Sequence, residues 1–313
     1  MLTLYPASGR ASAKGKHVWY DLYRPTEEEI AEVETATGLH VPSRDEISAI
    51  EASSRLQRVG PTLYLSTPML VMTERPHISP VGFVLGKDHL ITVRFDKFGA
   101  FETAAGNAEA DDDITPLGVF SCVMESVVDR IADALEATAA ELDSVSQSIF
   151  HHKQRRRGAP RVEQFQRQTL AKVGRFGEML SQIRDVLLGI SRIASFVVDL
   201  RQVGMAEDIA ARLKAVKQDL LSLNDYEGHL ANKVQFLLDA VLGFITISQN
   251  DIFKVMTVWS LVGIPPTLMA GIYGMNFKYM PELELHFGYP MGLCVILVSA
   301  LIPLAWFKWK GWV

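Results

Sequence analysis

Residues 255–277 read VMTVWSLVGIPPTLMAGIYGMNF, a run of 23 residues without one charged side chain. Lys254 precedes this run and Lys278 follows it. A helix needs roughly 20 apolar residues to cross the hydrocarbon core of a bilayer, which is about 30 Å thick. The run therefore predicts a membrane-spanning helix, and no earlier part of the chain has a comparable run.

A second uncharged run lies close behind the first. Residues 287–307 read FGYPMGLCVILVSALIPLAWF, and these 21 residues are again enough for one crossing. The alternative is a buried helical hairpin in a soluble core, but core helices of this length normally keep a polar face. The two runs predict spans at about 255–275 and 288–307, within a transmembrane domain over 255–313.

The charges around the two runs predict their orientation. Lysines flank the runs on the side of the two termini, namely Lys254, Lys308 and Lys310. The loop 278–286 carries one lysine against Glu282 and Glu284, and residues 1–16 lack the apolar core of a signal peptide. We therefore expect a multi-pass protein of the cell (inner) membrane with both termini in the cytoplasm. Three tryptophans suit the inner interface of the bilayer: Trp306, Trp309 and Trp312.

The composition excludes several classes of protein. The net charge of −5 argues against a nucleic-acid partner, and two cysteines are too few for a disulfide framework. The chain contains no CxxC, HExxH, GxxxxGK[ST] or GxGxxG motif. No motif combines a nucleophile, a base and an orienting group, so we expect neither an enzyme nor a bound organic cofactor.

The first 114 residues mix strand and helix patterns. HVWYDLY (residues 17–23) and the runs TLYLSTPML, VGFVLG and HLITVRF within residues 62–95 read as strands. Thr26 with Glu29, and Ser43 with Glu46, form capping-box patterns that begin two helices. The sequence predicts a cytoplasmic α/β domain over 1–114.

Residues 115–254 predict long helices. Thr115-Pro116 begins one, Gly158 and Pro160 interrupt the pattern, and a second helix runs to about Leu200. A third begins near Ala206 and continues into the first span without a break, for about 65 residues or 100 Å. This segment is predicted to be a cytoplasmic long-helix hairpin and stalk, and such a long helix needs partners.

Two charge clusters remain open to interpretation. Arg155–Arg157 lies at the expected tip of the helical hairpin, where it is either a solvated loop or a contact with anionic lipid or a neighbouring subunit. Asp111–Asp113 precedes a helix, where carboxylates suit the helix dipole, but clustered carboxylates also suit a divalent-cation sensor.

A stripe of mostly small or polar residues follows the long helix in steps of three and four. Its members are Asp239, Gly243, Thr246, Asn250, Phe253, Thr257, Ser260, Ile264, Thr267 and Gly271. Such residues are costly against lipid but acceptable against water or another helix. The stripe therefore indicates either the lining of a pore or close packing between membrane helices.

Two spans cannot enclose an aqueous path, whereas a ring of several copies of the first helix can. The second span, which is rich in Val, Ile, Leu and Ala, would then face lipid. Neither span contains Asp, Glu, Lys, Arg or His, although proton-coupled transporters normally need an ionisable relay. This favours passive, potential-driven passage of an ion through a homo-oligomer.

The first span ends in Tyr273-Gly274-Met275-Asn276, and Met280-Pro281-Glu282-Leu283 follows. With two C-terminal spans, a short acidic loop and the basic end FKWKGWV, this resembles the CorA family of divalent-cation channels, of the bacterial magnesium and cobalt type. The stretch QFLLDAVLGFITISQNDIFKVM resembles the same members, and the N-terminal half does so more loosely. The resemblance covers essentially the whole chain.

The resemblance implies a funnel-shaped homopentamer that passes hydrated Mg²⁺ and Co²⁺, with Ni²⁺ a further candidate. It implies a selectivity ring of Gly274, Met275 and Asn276, with Asn276 in contact with the hydrated ion. The stripe and the resemblance together give the predicted pore-lining positions Asp239, Thr246, Asn250, Phe253, Met256, Ser260, Ile264, Thr267 and Gly271, of which Thr246 and Ser260 come from the stripe alone. Phe253, Met256 and Ile264 would be hydrophobic constrictions, and Asp239 and Asn250 polar rings. The family is also gated by cytoplasmic Mg²⁺, for which this sequence identifies no ligands.

The chemistry of these residues suits a hydrated ion. Mg²⁺ gives up its waters reluctantly, and the neutral amides of Asn276 can hydrogen-bond those waters without trapping the ion. Gly274 is expected to let the chain turn out of the helix, and Glu282 and Glu284 to concentrate cations at the mouth. Two other readings remain: a Zn²⁺ transporter of the same fold, and a membrane-anchored sensor or scaffold without transport.

Overall fold

The computed structural model describes residues 1–5, 17–49, 55–73, 76–110, 115–151, 159–201, 206–275, 278, 280–281 and 285–312. The chain forms two compact units, Met1–Leu238 and Asp239–Val313, and each is described by itself. The predicted domain boundaries after residues 114 and 254 stay predictions. Several predicted features lie outside the described residues: Asp111–Asp113, Arg155–Arg157, Asn276, Glu282 and Glu284.

The first unit contains a six-stranded mixed sheet in the order β1-β2-β6-β5-β4-β3. The strands are β1 (Leu2–Tyr5), β2 (Trp19–Tyr23), β3 (Leu56–Val59), β4 (Thr62–Val71), β5 (His77–Leu85) and β6 (Leu90–Arg94). Only β2 and β6 pair in parallel, with Trp19 opposite Leu90, and the other pairs are antiparallel. The sequence predicted β2, β4, β5 and β6 but missed the two edge strands.

Two short helices, α1 (Glu27–Thr37) and α2 (Arg44–Ile47), contribute residues to the core on one face of the sheet. Both predicted capping boxes are present, and Gly38 ends α1 with a φ of 69°, which favours glycine. The core on this side consists of Tyr20, Leu22, Val33, Val41, Ile47, Val84, Ile91 and Val93. The local sequence signals that predicted these helices are therefore confirmed.

Aromatic side chains fill the opposite face, where α3 (Gly99–Ala110) and α4 (Pro116–His151) begin. Phe83 lies against Phe101 and Phe120, with ring centroids 6.2 and 5.6 Å apart, and Trp19 lies 6.4 Å from Phe101. All four side chains are almost completely buried. The sheet is therefore covered on both faces, as predicted for an α/β domain.

A buried polar network joins the parallel strands β2 and β6. Trp19 Nε1 donates to Thr92 Oγ1 over 3.0 Å, and Thr92 donates in turn to Asp21 Oδ1 over 2.7 Å. Arg94 donates to both carboxylate oxygens of Asp21, at 3.1 and 2.8 Å. Because each polar group here has a partner, the buried charge of Asp21 is compensated.

Three long helices complete the first unit: α4, α5 (Ala159–Arg201) and the N-terminal part of α6 (Glu207–Tyr273). Ion pairs join them at Arg212–Glu125, Arg184–Glu227 and Lys233–Asp143, over 2.6–2.8 Å. The Glu125 carboxylate, followed by the Cys122 thiol, raises the pKa of Arg212 against the effect of burial. The order of the two pairs between α4 and α6 makes these helices parallel. Helix α5 is antiparallel to α6, because Gly177 lies near Val234 whereas Arg184 pairs with Glu227.

The second unit contains the C-terminal part of α6 and helix α7 (Gly288–Trp309). Helix α7 ends in a Schellman motif, because Trp312 N donates to Phe307 O over 3.0 Å and Gly311 N to Lys308 O over 3.1 Å. Gly311 has a φ of 70°, and Trp312 stacks on Phe307 with centroids 5.5 Å apart. The aromatic C-terminal residues are thus locally ordered around the end of α7.

Candidate ion pathway

Helices α6 and α7 are long and apolar enough to cross a membrane. No residue is buried in the most apolar stretch of α6, and 6% are buried in that of α7. Large apolar side chains are exposed along both helices, for example Trp259 at 76% and Ile302 at 65%. A buried hairpin in a soluble core, the alternative considered from the sequence, would hide these side chains, so the two helices fit membrane spans.

The predicted polar stripe is exposed along its whole length. Every member from Asp239 to Gly271 has an exposed side chain or Cα. At 3.6 residues per turn, the stripe occupies an arc of about 120° on the helix, and Met256 extends this arc to about 140°. The structure therefore places the predicted pore-lining residues on one accessible face of α6.

The opposite face of α6 is partly shielded. The half-buried residues of the span are Val258, Val262, Pro265, Pro266, Met269 and Tyr273. They lie about half a turn from the stripe, on the far side of the helix. The polar stripe therefore lies on the side of α6 away from its half-buried residues, where it is accessible to other copies of the chain.

Three threonines of the stripe use their hydroxyl hydrogens within α6. Thr246 donates to Leu242 O, Thr257 to Phe253 O and Thr267 to Gly263 O, over 3.0, 2.8 and 2.8 Å. A hydroxyl that donates in this way keeps lone pairs on its oxygen as acceptors. The exposed face of α6 thus offers neutral oxygen atoms, which suit the waters around a cation.

Two adjacent prolines, Pro265 and Pro266, lie inside α6. Proline has no backbone N–H, so the carbonyl oxygens of Leu261 and Val262 lose their usual helical donors. The helix nevertheless continues to Tyr273. These carbonyls are additional acceptors at membrane depth that the sequence analysis missed, but Pro265 and Pro266 lie on the half-buried face of α6, away from the stripe. The Pro-Pro pair within a charge-free span was the signal that could have revealed them.

Gly274 directly follows the end of α6. Gly274 N donates to Ala270 O over 3.0 Å, and Met275 N donates to Ile272 O over 3.2 Å. Gly274 does not have a left-handed backbone, and a Cβ at this position would lie in tight contact with Ala270 O, at 3.2 Å. The prediction that Gly274 lets the chain turn out of the helix stays a prediction.

The three predicted constriction residues are strongly exposed in the single chain. Phe253, Met256 and Ile264 have exposed fractions of 64, 59 and 63%. Phe253 and Ile264 lie on the stripe itself, and Met256 lies at its edge. A single chain encloses no path, so these side chains could narrow one only if several copies were arranged around an axis.

The search for a preformed metal centre gives no candidate in the described part of the chain. No group of three or more His, Cys, Asp or Glu residues there could hold a metal ion. This leaves the cytoplasmic regulatory ligands unassigned, as the sequence analysis had left them.

An α/β domain followed by long helices and two C-terminal candidate spans defines a class of membrane transport proteins. The CorA-like Mg²⁺ transporter family matches residues 14–309 of this chain, so the chain belongs to that family.

Individual relatives agree with this assignment. The chain is 30% identical over 299 residues to the magnesium transport protein CorA of Escherichia coli, covering 94% of this chain and 92% of that protein. The CorA magnesium transporter of Methanocaldococcus jannaschii shares the fold, with a TM-score of 0.77 at 17% identity over 94% and 91% of the two chains. The cytoplasmic domain of ZntB from Vibrio parahaemolyticus matches less, with a TM-score of 0.53 at 13% identity over 73% and 87%.

Proposed function

We propose that this chain is the subunit of a homopentameric channel that carries hydrated Mg²⁺, and also Co²⁺, into the cell. Ni²⁺ is a further candidate ion. The observation that carries the proposal is the accessible stripe on α6, which faces away from the shielded side of its own unit. Five copies arranged around an axis would bring these stripes together, and α7 would then lie outside the ring.

The proposed path suits an ion that keeps its water. The threonine hydroxyls of the stripe are neutral acceptors, and they can hold hydration waters without binding the metal directly. The absence of charged residues from both spans leaves the membrane potential as the driving force. A divalent cation entering the cell gains about 4.6 kcal/mol per 100 mV, twice the value for one charge.

Selectivity in this proposal belongs to Gly274, Met275 and Asn276, at the outer end of the first span. Asn276 would contact the hydrated ion, and Glu282 and Glu284 would raise the cation concentration at the mouth. Asp239 would face the ion on the cytoplasmic side. The protein would lie in the inner membrane with both termini inside, and Mg²⁺ would be both the transported and a regulatory ion.

The test is ion uptake into liposomes that contain the purified protein and a fluorescent Mg²⁺ indicator. With an inside-negative potential, we expect Mg²⁺ and Co²⁺ to enter, and we expect uptake to fall when the potential is removed. Faster entry of Zn²⁺ than of Mg²⁺ would favour the zinc alternative. An absence of uptake for all three ions would favour the sensor or scaffold. Native mass spectrometry in mild detergent should give a pentamer, and a monomer or dimer would contradict the channel.

A further inference from the structure

A small cavity in the first unit has a charged wall that the proposed transport does not use. Its volume is about 130 Å³, and it lies between β4, the start of α3, and helices α4 and α5. Apolar residues form most of its lining, among them Met69, Phe98, Val127, Ile131 and Val186. Two cationic side chains, Lys97 and Arg130, complete the lining. No acidic residue is among the lining residues in the described part of the chain.

The guanidinium of Arg130 lies against the backbone of Gly99. A Cβ at Gly99 would lie 2.6 Å from Cζ of Arg130 and 2.9 Å from one terminal nitrogen, so a side chain here would displace the flexible guanidinium. Gly99 also begins α3, where the helix dipole disfavours a cation. Gly99 thus permits the observed position of the Arg130 guanidinium, although the start of a helix is electrostatically unfavourable for a cation.

Neither cation has an anionic partner among the described residues. Other arginines of this unit do have one: Arg94 pairs with Asp21, Arg184 with Glu227 and Arg212 with Glu125. Lys97 and Arg130 take part in no hydrogen bond or ion pair in the described part of the chain. Both side chains are exposed at the edge of the cavity, where two cations beside an apolar floor complement a ligand with an anionic head and a carbon body.

We propose that this cavity binds the phosphate group of a small cytoplasmic molecule. Arg130 would donate two hydrogen bonds to phosphate oxygens, and Lys97 would supply a second positive charge. The cavity is smaller than those that enclose drug-sized ligands, so the carbon part of the molecule is short. Because the lining comes from β4, α3, α4 and α5, the bound phosphate would join the sheet to the long helices.

The test is isothermal titration of the full-length protein in a phosphate-free detergent, without Mg²⁺ and at constant ionic strength. Inorganic phosphate and glycerol phosphate are titrated separately, with chloride as the reference anion. We expect saturable binding of phosphate, and tighter binding of glycerol phosphate if its carbon body occupies the apolar floor. Equal affinities would identify inorganic phosphate itself as the ligand.

Variants of the lining residues make the test specific. Arg130→Gln and Lys97→Gln should each weaken binding about tenfold, because each removes a charge-assisted contact. Gly99→Ala keeps every charge but displaces the guanidinium, so it should weaken binding as well. Lys87→Gln is the control, since Lys87 is an exposed lysine in the turn between β5 and β6.

Two results would overturn the proposal. One is an absence of saturable heat with both phosphates in the wild-type protein. The other is unchanged affinity in Arg130→Gln, Lys97→Gln and Gly99→Ala. Circular dichroism of each variant shows whether it is folded. If a charge variant does not fold, Gly99→Ala still tests the proposal.

Discussion

Helix α6 belongs to two regions of the molecule, and its apolar side chains are buried in one region and exposed in the other. Its N-terminal part, in the first unit, hides its apolar seam against α4 and α5. The buried members are Leu213, Val216, Leu220, Leu230, Val234 and Leu237, each at most 5% exposed. Its C-terminal part exposes Trp259, Ile264 and Leu268, each by at least 60%.

This difference shows that one helix is adapted to two surroundings. In the first unit, the chain supplies its own apolar contacts, and specific ion pairs such as Arg184–Glu227 join its long helices. In the second unit, burial within a single chain is too small for a folded state in water, since exposed apolar patches of this extent mark an interaction surface. The second unit therefore depends on lipid and, in our proposal, on other copies of the chain.

The largest effect is expected from Asn276→Ala. If the second unit is an ion path, removal of the Asn276 amide takes away the groups that hold the hydrated ion at the outer mouth. Uptake in liposomes should then be abolished, while native mass spectrometry still shows the wild-type assembly. Asn276 could instead simply end the helix, as asparagine often does.

Asn276→Asp separates these two interpretations. The substitution keeps the size of the side chain but adds one negative charge per subunit. As part of a selectivity ring, it should bind divalent ions more tightly and change the competition between Mg²⁺ and Co²⁺. Wild-type uptake by an assembled Asn276→Ala protein would refute the role in ion selection.

Ile264→Ser should have the next largest effect, a several-fold rise in basal uptake. An apolar ring can close a pore by excluding water, and a hydroxyl at this position would favour wetting. The matched control is Ile302→Ser on α7, because the two isoleucines are exposed by 63 and 65% in the single chain. A similar change in both variants, at equal assembly, would argue against a gate at Ile264.

Much of the fold could be predicted from the sequence because its signals are local. The charge-free runs, the Thr26 and Ser43 capping boxes and the Thr115-Pro116 start each depend on neighbouring residues. The start and end of α6, Glu207 and Tyr273, also agree closely with the predicted long helix. The edge strands β1 and β3 were missed, because a four-residue strand at a sheet edge carries too short a pattern.

The site was predictable only in part. The period of the stripe predicts one face of α6, and the structure places these residues on an accessible face. The sequence could not show that the hydroxyls of Thr257 and Thr267 donate to backbone carbonyls of α6, because this depends on the side-chain rotamers of the two threonines. It also could not bring Lys97 together with Arg130, because this pairing depends on how α4 packs near the start of α3.

A moderate effect, confined to the first unit, is expected from Arg184→Met. Arg184 Nε donates to Glu227 Oε2 over 2.8 Å, and Glu227 is only 1% exposed. The variant leaves a buried carboxylate without its partner, at a cost of about 2 kcal/mol in the free energy of unfolding. For a unit of this size, the thermal midpoint should fall by roughly 4–8 °C.

Circular dichroism during heating measures this change in the midpoint. The control is Arg192→Met on the same helix, because Arg192 has no ion pair among the described residues. The double variant Arg184→Met/Glu227→Gln should recover part of the loss, since the buried charge is then gone. A midpoint equal to that of the control would show that the pair does not stabilise the unit.

The smallest effect concerns the acid dependence of stability, which should also belong to the first unit. The spans contain no Asp, Glu, His, Lys or Arg, whereas Glu34 on α1 accepts from Val41 N over 2.9 Å and lies 2.8 Å from His40 Nδ1. The Val41 N–H, followed by His40, holds the pKa of Glu34 below its ordinary value. A carboxylate whose pKa is lowered by folding contributes stability above its unfolded pKa, about 4.3. That contribution is lost as the pH falls through the lower, folded pKa.

Glu34→Gln should therefore cost a few tenths of a kcal/mol at pH 7 and flatten the stability profile below pH 5. Glu32→Gln, on the same helix and more exposed, should leave the profile unchanged. The measurement is the thermal midpoint of each variant from pH 3 to 7. Identical pH profiles for Glu34→Gln and Glu32→Gln would show that Glu34 does not contribute to the acid dependence of stability.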